Sequence, residues 1–176
     1  MADILPDLLR PGLRVVVCGS AAGSVSAREK AYYAHPQNRF WPILAETGLT
    51  PRRLAPEEFP MLPDFGIGLT DITKTQYGAD ADLKSHDAAR LHTALERYRP
   101  AILAFNGKRA AGLALDVPTV SLVYGRQKAG LGDTAVFVLP STSPLAVRWW
   151  DAAPWKALAA AVLANPADRS GAGHRP

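Results

Sequence analysis

Short apolar runs rich in β-branched residues recur along the chain, each followed by a turn-forming or polar residue. They cover residues 13–19, 66–70, 101–105 and 135–139. Runs of this length and composition are typical of strands buried on both faces of a sheet. We therefore expect four core strands, of which the second is the weakest in pattern.

Segments with helical spacing of apolar residues lie between and after these runs, at residues 38–46, 85–99, 108–115 and 153–163. The segment 85–99 has the clearest pattern. Its apolar stripe is Ala88, Leu91, Leu95 and Tyr98. Ser85 or Asp87 can cap it and Pro100 ends it.

Strands that alternate with helices predict an α/β layered fold with a mostly parallel sheet. Such folds bind ligands beyond the carboxyl ends of their strands. We therefore expect the loops that begin at Gly19, Thr70, Asn106 and Pro140 to converge on one crevice. Residues 1–164 form a single predicted domain, and the polar residues 165–176 are expected to be disordered.

Composition narrows the class of protein. The chain has 176 residues, 48% hydrophobic and 20% charged, which is ordinary for a soluble globular domain. Its one cysteine, Cys18, excludes an internal disulfide, a four-cysteine zinc site and an iron–sulfur cluster. The sequence has no apolar run near the roughly 20 residues of a membrane span and no basic region of a secretory signal, so we expect a cytoplasmic protein.

The net charge is +4, and arginine outnumbers lysine 14 to 6. This balance fits a polyanionic partner without requiring one.

Two loops carry candidate binding chemistry. Residues 19–24 (Gly-Ser-Ala-Ala-Gly-Ser) match neither nucleotide-binding glycine motif, so they form either a tight turn or a set of backbone amides close to a ligand. Tyr33 can stack on a planar base. His35 is either a general base or a structural hydrogen-bonding group, and no second ligand at metal spacing accompanies it.

Two further loops carry polar and exposed groups. Asp71 either caps a turn or acts as a catalytic carboxylate. Hydroxyls and amides of residues 140–143 can hold a phosphate. Leu145 either enters a base stack or folds back on Trp149 or Trp150. A Ser141/His35/Asp71 triad lacks the nucleophile elbow and is set aside.

Taken together, these segments resemble a known family. The resemblance is carried in order and spacing by residues 11–19, 33–41, 68–71, 105–108, 124–127 and 138–143. These resemble the mismatch-specific uracil-DNA glycosylases, which belong with the thymine-DNA glycosylases in one superfamily. The resemblance covers residues 4–163. Its most specific part is Ala-His-Pro-Gln-Asn-Arg-Phe-Trp at 34–41.

The resemblance implies a monomeric three-layer α/β/α sandwich that flips a damaged base out of DNA and hydrolyses its N-glycosidic bond, without metal or cofactor. The substrate implied is uracil in double-stranded and possibly single-stranded DNA. Residues implied to hold the flipped nucleotide are Gly19, Ser20, Ala21, Tyr33, Asn106 and Ser141. Residues implied to contact the DNA around it are Lys108, Thr142, Ser143, Leu145 and Arg148.

One position departs from the family pattern. The family's first motif usually reads G-I-N-P-G, and its asparagine positions the attacking water, whereas Ala21 stands at that position here. Asp71 is the best replacement, because an anion stabilises the positive sugar and can accept a proton from water. We expect partial burial to raise its pKa and to leave it mostly ionised at neutral pH, except where desolvation is severe. Asn38 is the second candidate.

Two alternatives remain open at this point. The altered first motif can widen the pocket for deaminated purines such as hypoxanthine or xanthine. The loss of the amide at Ala21 can instead leave a lesion-binding module without turnover.

Overall fold

A five-stranded sheet forms the centre of the protein in a computed structural model, which describes residues 2–79 and 86–165. The strands are β1 (Val15–Gly19), β2 (Ile67–Asp71), β3 (Ile102–Asn106), β4 (Gly125–Arg126) and β5 (Ala135–Leu139). Their order is β2-β1-β3-β5-β4, and all neighbours are parallel except β4, which runs antiparallel to β5. The register places Gly19 opposite Asp71 and Asn106 opposite Leu139.

Helices and 3-10 helices connect the strands. The α-helices are α1 (Ser24–Glu29), α2 (Phe40–Glu46), α3 (Ala88–Tyr98), α4 (Lys108–Leu115) and α5 (Ala153–Ala164). The 3-10 helices are Pro56–Phe65, Thr119–Ser121 and Pro144–Trp149. Among the described residues, no helix is long and apolar enough to cross a membrane.

Strand β1 shows why the sheet lies between two helical layers. Val15 and Val17 pack into the core formed with α2, α5 and the 3-10 helix Pro56–Phe65. Val16 and Cys18 face the opposite core, formed with α3 and α4. Because successive side chains of a strand point to opposite faces, an uninterrupted apolar run satisfies both cores. The expected α/β/α layering is confirmed.

The predicted elements are found close to their expected bounds. Helix α3 begins later than expected, at Ala88, because the carboxylate of Asp87 accepts a hydrogen bond from the Arg90 amide at 2.9 Å and caps the helix there. Ser85, the other cap candidate, lies outside the described residues, as do residues 166–176 of the predicted tail.

Five elements were not predicted: strand β4, helix α1 and the three 3-10 helices. Strand β4 is only two residues long, and α1 has six residues with no apolar stripe. The 3-10 helix Pro56–Phe65 contains Pro60 and Pro63, which are poor helix formers by propensity.

Candidate active site

The carboxyl ends of three adjacent strands bring Gly19, Asp71 and Asn106 to one edge of the sheet. Backbone hydrogen bonds join the loops that follow β1 and β2. The Ile72 amide donates to the Gly19 carbonyl at 2.9 Å, and the Thr73 amide donates to the Ser20 carbonyl at 2.8 Å. The polar loops therefore converge as the strand pattern predicts.

The absence of a side chain at Gly19 is what allows the Asp71 carboxyl group to lie at this edge. A Cβ at position 19 would lie 2.6 Å from Asp71 Oδ1 and 3.3 Å from the Tyr33 hydroxyl. A separation of 2.6 Å is too short for a carbon and an oxygen that are not bonded. The carboxyl group and the phenol therefore both pack against the Gly19 backbone, in the space that a side chain would occupy.

Asp71 is almost fully buried, with 4% of its surface exposed. Burial raises the pKa of this carboxyl from 3.8 to about 7, and the charge of Asp7 also raises it, while Lys74 and Arg90 lower it. Desolvation is nearly complete, which is the exception to the expected ionisation, so part of the carboxyl group stays protonated at neutral pH. Near pH 7 the acid and the carboxylate are both well populated.

Tyr33 lies beside this carboxyl group in a left-handed backbone conformation, with φ of 52°. Its ring packs on Phe40 with centroids 4.1 Å apart and planes tilted by 32°. Burial and the charge of Asp71 raise the pKa of the phenol well above its usual value, and an interaction with Asn106 offsets part of this. Within residues 2–79 and 86–165 the buried hydroxyl makes no hydrogen bond of ordinary geometry.

The segment from His35 to Arg39 is fixed by local hydrogen bonds. His35 Nδ1 accepts from the Gln37 amide at 3.1 Å, so this nitrogen serves the structural role weighed for the histidine. Asn38 Oδ1 accepts from the Phe40 amide at 3.0 Å at the start of α2. The Arg39 amide donates to the Thr142 carbonyl at 3.0 Å, which ties this segment to the loop after β5.

Asn106 holds the loop after β5 through both ends of its amide. Its Nδ2 donates to Thr142 Oγ1 at 2.9 Å, and its Oδ1 accepts from the Thr142 backbone amide at 3.0 Å. Thr142 is only 1% exposed, so its hydroxyl lies beneath the loop surface. The same side chain interacts with the Tyr33 phenol, so the Asn106 amide links Tyr33 to the loop after β5.

Beyond Thr142 the chain turns outward through two serine-capped turns. Ser141 Oγ accepts from the Ser143 amide, and Ser143 Oγ accepts from the Leu145 amide, each at 3.2 Å. Leu145 is 79% exposed at the start of the 3-10 helix, so its side chain points away from the core instead of folding back. The Arg148 guanidinium lies 4.8 Å from the centroid of the exposed Trp149 ring.

The remaining predicted residues lie around this edge. Ser20 and Ala21 follow β1 and are half-buried. Lys108 begins α4, and its Nζ lies 4.6 Å from the centroid of the Tyr124 ring. In the part of the chain that the structure describes, no group of three or more His, Cys, Asp or Glu side chains is placed to hold a metal ion.

An open groove with a volume of about 870 Å³ lies next to the site. It shares His35 and Asn38 with the loop described above, but Gly19, Tyr33 and Asp71 do not line it. The residues around the buried carboxyl group therefore lie outside this groove.

Sequence reasoning missed the ionic cluster behind Asp71, formed by Asp7, Lys74 and Arg90. Asp7 Oδ1 lies 2.8 Å from Lys74 Nζ, and Asp7 Oδ2 lies 2.6 Å from Arg90 Nη1. These residues come from three separate segments. Their spacing in the sequence gave no signal of contact.

The protein is an α/β/α domain, with a mostly parallel sheet between two helical layers. Its candidate site lies in the loops at the carboxyl edge of the sheet, where a buried acid and an aromatic ring meet. The sequence profile of the uracil DNA glycosylase superfamily matches residues 6–162. The chain belongs to this superfamily and is a DNA glycosylase, a hydrolase of N-glycosyl bonds.

The fold is shared with a solved structure. The solution NMR structure of a proposed uracil DNA glycosylase from Methanosarcina acetivorans superposes with a TM-score of 0.60 at 19% sequence identity. The match covers 90% of this chain and 96% of that one. At this identity the similarity supports the fold.

Proposed function

We propose that this glycosylase flips uracil from G·U mismatches or single strands into the edge formed by Gly19, Asp71 and Tyr33, and that Asp71 is its catalytic group. The main observation behind the proposal is the buried Asp71 carboxyl group, which packs against the Gly19 backbone. Its pKa of about 7 suits a group that accepts a proton near neutral pH. We also propose that the protein acts as a monomer in the cytoplasm.

In the proposed reaction a water molecule attacks C1′ of the deoxyribose. The C1′–N bond breaks with its electron pair leaving on the base, and the water proton passes to the Asp71 carboxylate. Before the proton moves, the negative charge of Asp71 stabilises the positive sugar. A site removed from solvent strengthens this interaction, because the local dielectric is low.

Asn38 is the second candidate for the missing first-motif amide. Its Oδ1 accepts a hydrogen bond from the Phe40 amide, and its NH₂ group is a donor without the basicity of a carboxylate. A donor can orient water but accepts no proton from it. This difference supports Asp71 as the base and leaves Asn38 the role of positioning water or the base edge.

The other proposed contacts follow the geometry of the loops. One face of the Tyr33 ring is covered by Phe40, which leaves the opposite face for the uracil ring. Backbone groups of Gly19, Ser20 and Ala21 and the side-chain amide of Asn106 are proposed to contact the nucleotide. Ser141 and Ser143, with the Thr142 backbone, are proposed to hold its phosphate. Lys108 and Arg148 are proposed to contact the flanking DNA, and the exposed Leu145 to fill the gap in the duplex.

A single-turnover assay with excess protein tests the substrate. Labelled duplexes carry one G·U pair, and parallel arms carry uracil in a single strand or hypoxanthine or xanthine in a duplex; alkali then cuts abasic sites. Cleavage in the uracil arms is expected. Cleavage only of hypoxanthine or xanthine would assign the purine alternative instead, and no cleavage in any arm would contradict the proposal.

The stacking role of Tyr33 is tested by two substitutions. Tyr33→Leu is expected to weaken capture of the flipped base by about 1–3 kcal/mol, since it removes the ring. Tyr33→Phe keeps the ring and removes a buried hydroxyl without a hydrogen bond. This variant should retain activity, and its unfolding free energy should increase by about 1–2 kcal/mol. Single-turnover titrations and urea unfolding measure these effects. Equal losses of activity in both variants would assign the role to the hydroxyl.

A further inference from the structure

An ionic cluster lies behind Asp71 and joins three parts of the chain; its lysine is buried, and its aspartate and arginine are partly exposed. Lys74 follows β2 and is 7% exposed, Arg90 lies in the first turn of α3, and Asp7 lies in the N-terminal segment. Asp7 bridges the two cations, at 2.8 Å from Lys74 Nζ and 2.6 Å from Arg90 Nη1. Its Oδ1 also accepts a hydrogen bond from the Thr70 hydroxyl at 2.8 Å.

Arg90 connects this cluster to the backbone of the candidate catalytic residue. Its Nη2 donates to the main-chain carbonyl of Asp71 and, at 3.2 Å, to Thr70 Oγ1. Both acceptors belong to the last two residues of β2. The guanidinium therefore fixes the point at which the strand ends and the Asp71 side chain departs.

Lys74 anchors the same cluster from the other side. Its Nζ donates to the Leu5 carbonyl at 2.6 Å and to the Tyr32 hydroxyl at 3.3 Å. Tyr32 in turn donates to the Pro6 carbonyl at 3.0 Å. The N-terminal segment that carries Asp7 is thus held in place by the lysine that Asp7 neutralises.

The cluster has features that are unfavourable for folding stability, so a stabilising role does not explain it. The Nε of Arg90 is buried and has no hydrogen-bond partner among the described residues. Buried polar atoms without partners are rare in proteins, and removing an ionic group from water is unfavourable unless its contacts compensate. A cluster of two cations and one anion has a net positive charge, and Asp71 is the adjacent group that this charge favours as an anion.

We propose that Lys74 and Arg90, bridged by Asp7, are positioning residues that hold the end of β2 and supply the positive charge that keeps the buried Asp71 available as a carboxylate. This inference rests on the proposed catalytic role of Asp71. The cluster touches neither the base nor the sugar in this scheme. It acts through Asp71.

The charges around Asp71 support this division of roles. Lys74 and Arg90 lower the pKa of Asp71, whereas burial and Asp7 raise it. The other titratable groups that interact electrostatically with Asp71 are Cys18 on β1 and Tyr32 and Tyr33 in the loop before α2. Burial raises the pKa of all three, so they stay neutral near pH 7. The net charge felt by Asp71 is therefore set by the cluster.

The test uses two variants with opposite expected signs. Lys74→Gln removes a cation, so the midpoint of the rising single-turnover rate against pH should move up by on the order of one unit. Asp7→Asn removes an anion, so the midpoint should move down. Arg97→Gln, on the exposed side of the same helix as Arg90, changes the net charge as Lys74→Gln does and should leave the midpoint in place.

A purely structural role would not give shifts of opposite sign. Shifts in the same direction, or midpoints that stay at the wild-type value, overturn the inference. If Lys74→Gln fails to fold by circular dichroism, the downward shift in Asp7→Asn decides alone, since that side chain is partly exposed. An Asp71→Asn variant with wild-type rate would contradict the proposed function itself, whereas its inactivity with unmoved midpoints would contradict only the role of the cluster.

Discussion

At pH 8, Asp71→Asn is expected to slow base excision about 10²–10⁴-fold under single-turnover conditions while DNA affinity stays close to the wild-type value. Asparagine has nearly the same shape as the buried acid, so the packing at Gly19 is kept. It can neither carry the negative charge that stabilises the sugar nor accept the proton from water. The loss should therefore appear in the chemical step.

The pH dependence of the wild-type rate gives an independent check on this role. The pKa of Asp71 is about 7, and the carboxylate is the active form in the proposed mechanism. The rate should rise as pH increases through about 7 and then level off. Rates measured from pH 5.5 to 9 in the wild type and in Asp71→Asn should show this rise only in the wild type.

Two further variants test whether the reaction depends on the position of the carboxylate or on a neighbouring side chain. Gly19→Ala keeps Asp71 but places a Cβ 2.6 Å from its present Oδ1 position, so the carboxyl group must move and the rate should also fall. Asn38→Ala tests the second candidate. If Asn38→Ala abolishes excision while Asp71→Asn retains it, the catalytic role belongs to Asn38.

The layered fold could be predicted from the chain because its strands are buried on both faces. Residues 13–19 and 135–139 carry apolar side chains at nearly every position, and the observed strands β1 and β5 bury both sets. Strand β4 contains Gly125 and Arg126, which have no such pattern. It pairs with β5 through tertiary contact, which periodicity does not encode.

The sequence predicted which loops form the candidate site, but not the burial and ion pairs that set the charge of Asp71. Loops at the carboxyl ends of parallel strands must converge, so the neighbourhood of Gly19, Asp71 and Asn106 followed from the strand pattern. The near-complete burial of Asp71 depends on packing around it. The cluster of Asp7, Lys74 and Arg90 depends on chain segments that meet only in the folded protein.

Asp71→Asn is also expected to stabilise the protein at high pH, even though it removes the proposed catalytic group. The pKa of this carboxyl is about 7 in the folded state against 3.8 for the ordinary group. Between these two values the folded protein binds more protons than the unfolded chain. The contribution of Asp71 to the unfolding free energy is therefore fully present below about pH 4 and is lost as pH rises through about 7.

Asparagine does not titrate, so it stays in the neutral form that the buried site prefers. A difference of about three pKa units corresponds to about 4 kcal/mol, and we expect Asp71→Asn to raise the unfolding free energy by about 2–4 kcal/mol at pH 8. Urea denaturation of both proteins at several pH values between 4 and 8 measures this difference. It should shrink steadily as the pH falls and vanish near pH 4.

A variant that is less stable than the wild type at pH 8, or a difference that does not change with pH, would show that Asp71 ionises in the folded protein without a desolvation cost. A residue whose buried charge destabilises the fold at alkaline pH is then the one that the reaction requires as an anion, which is the relation expected when a charge is buried for catalysis.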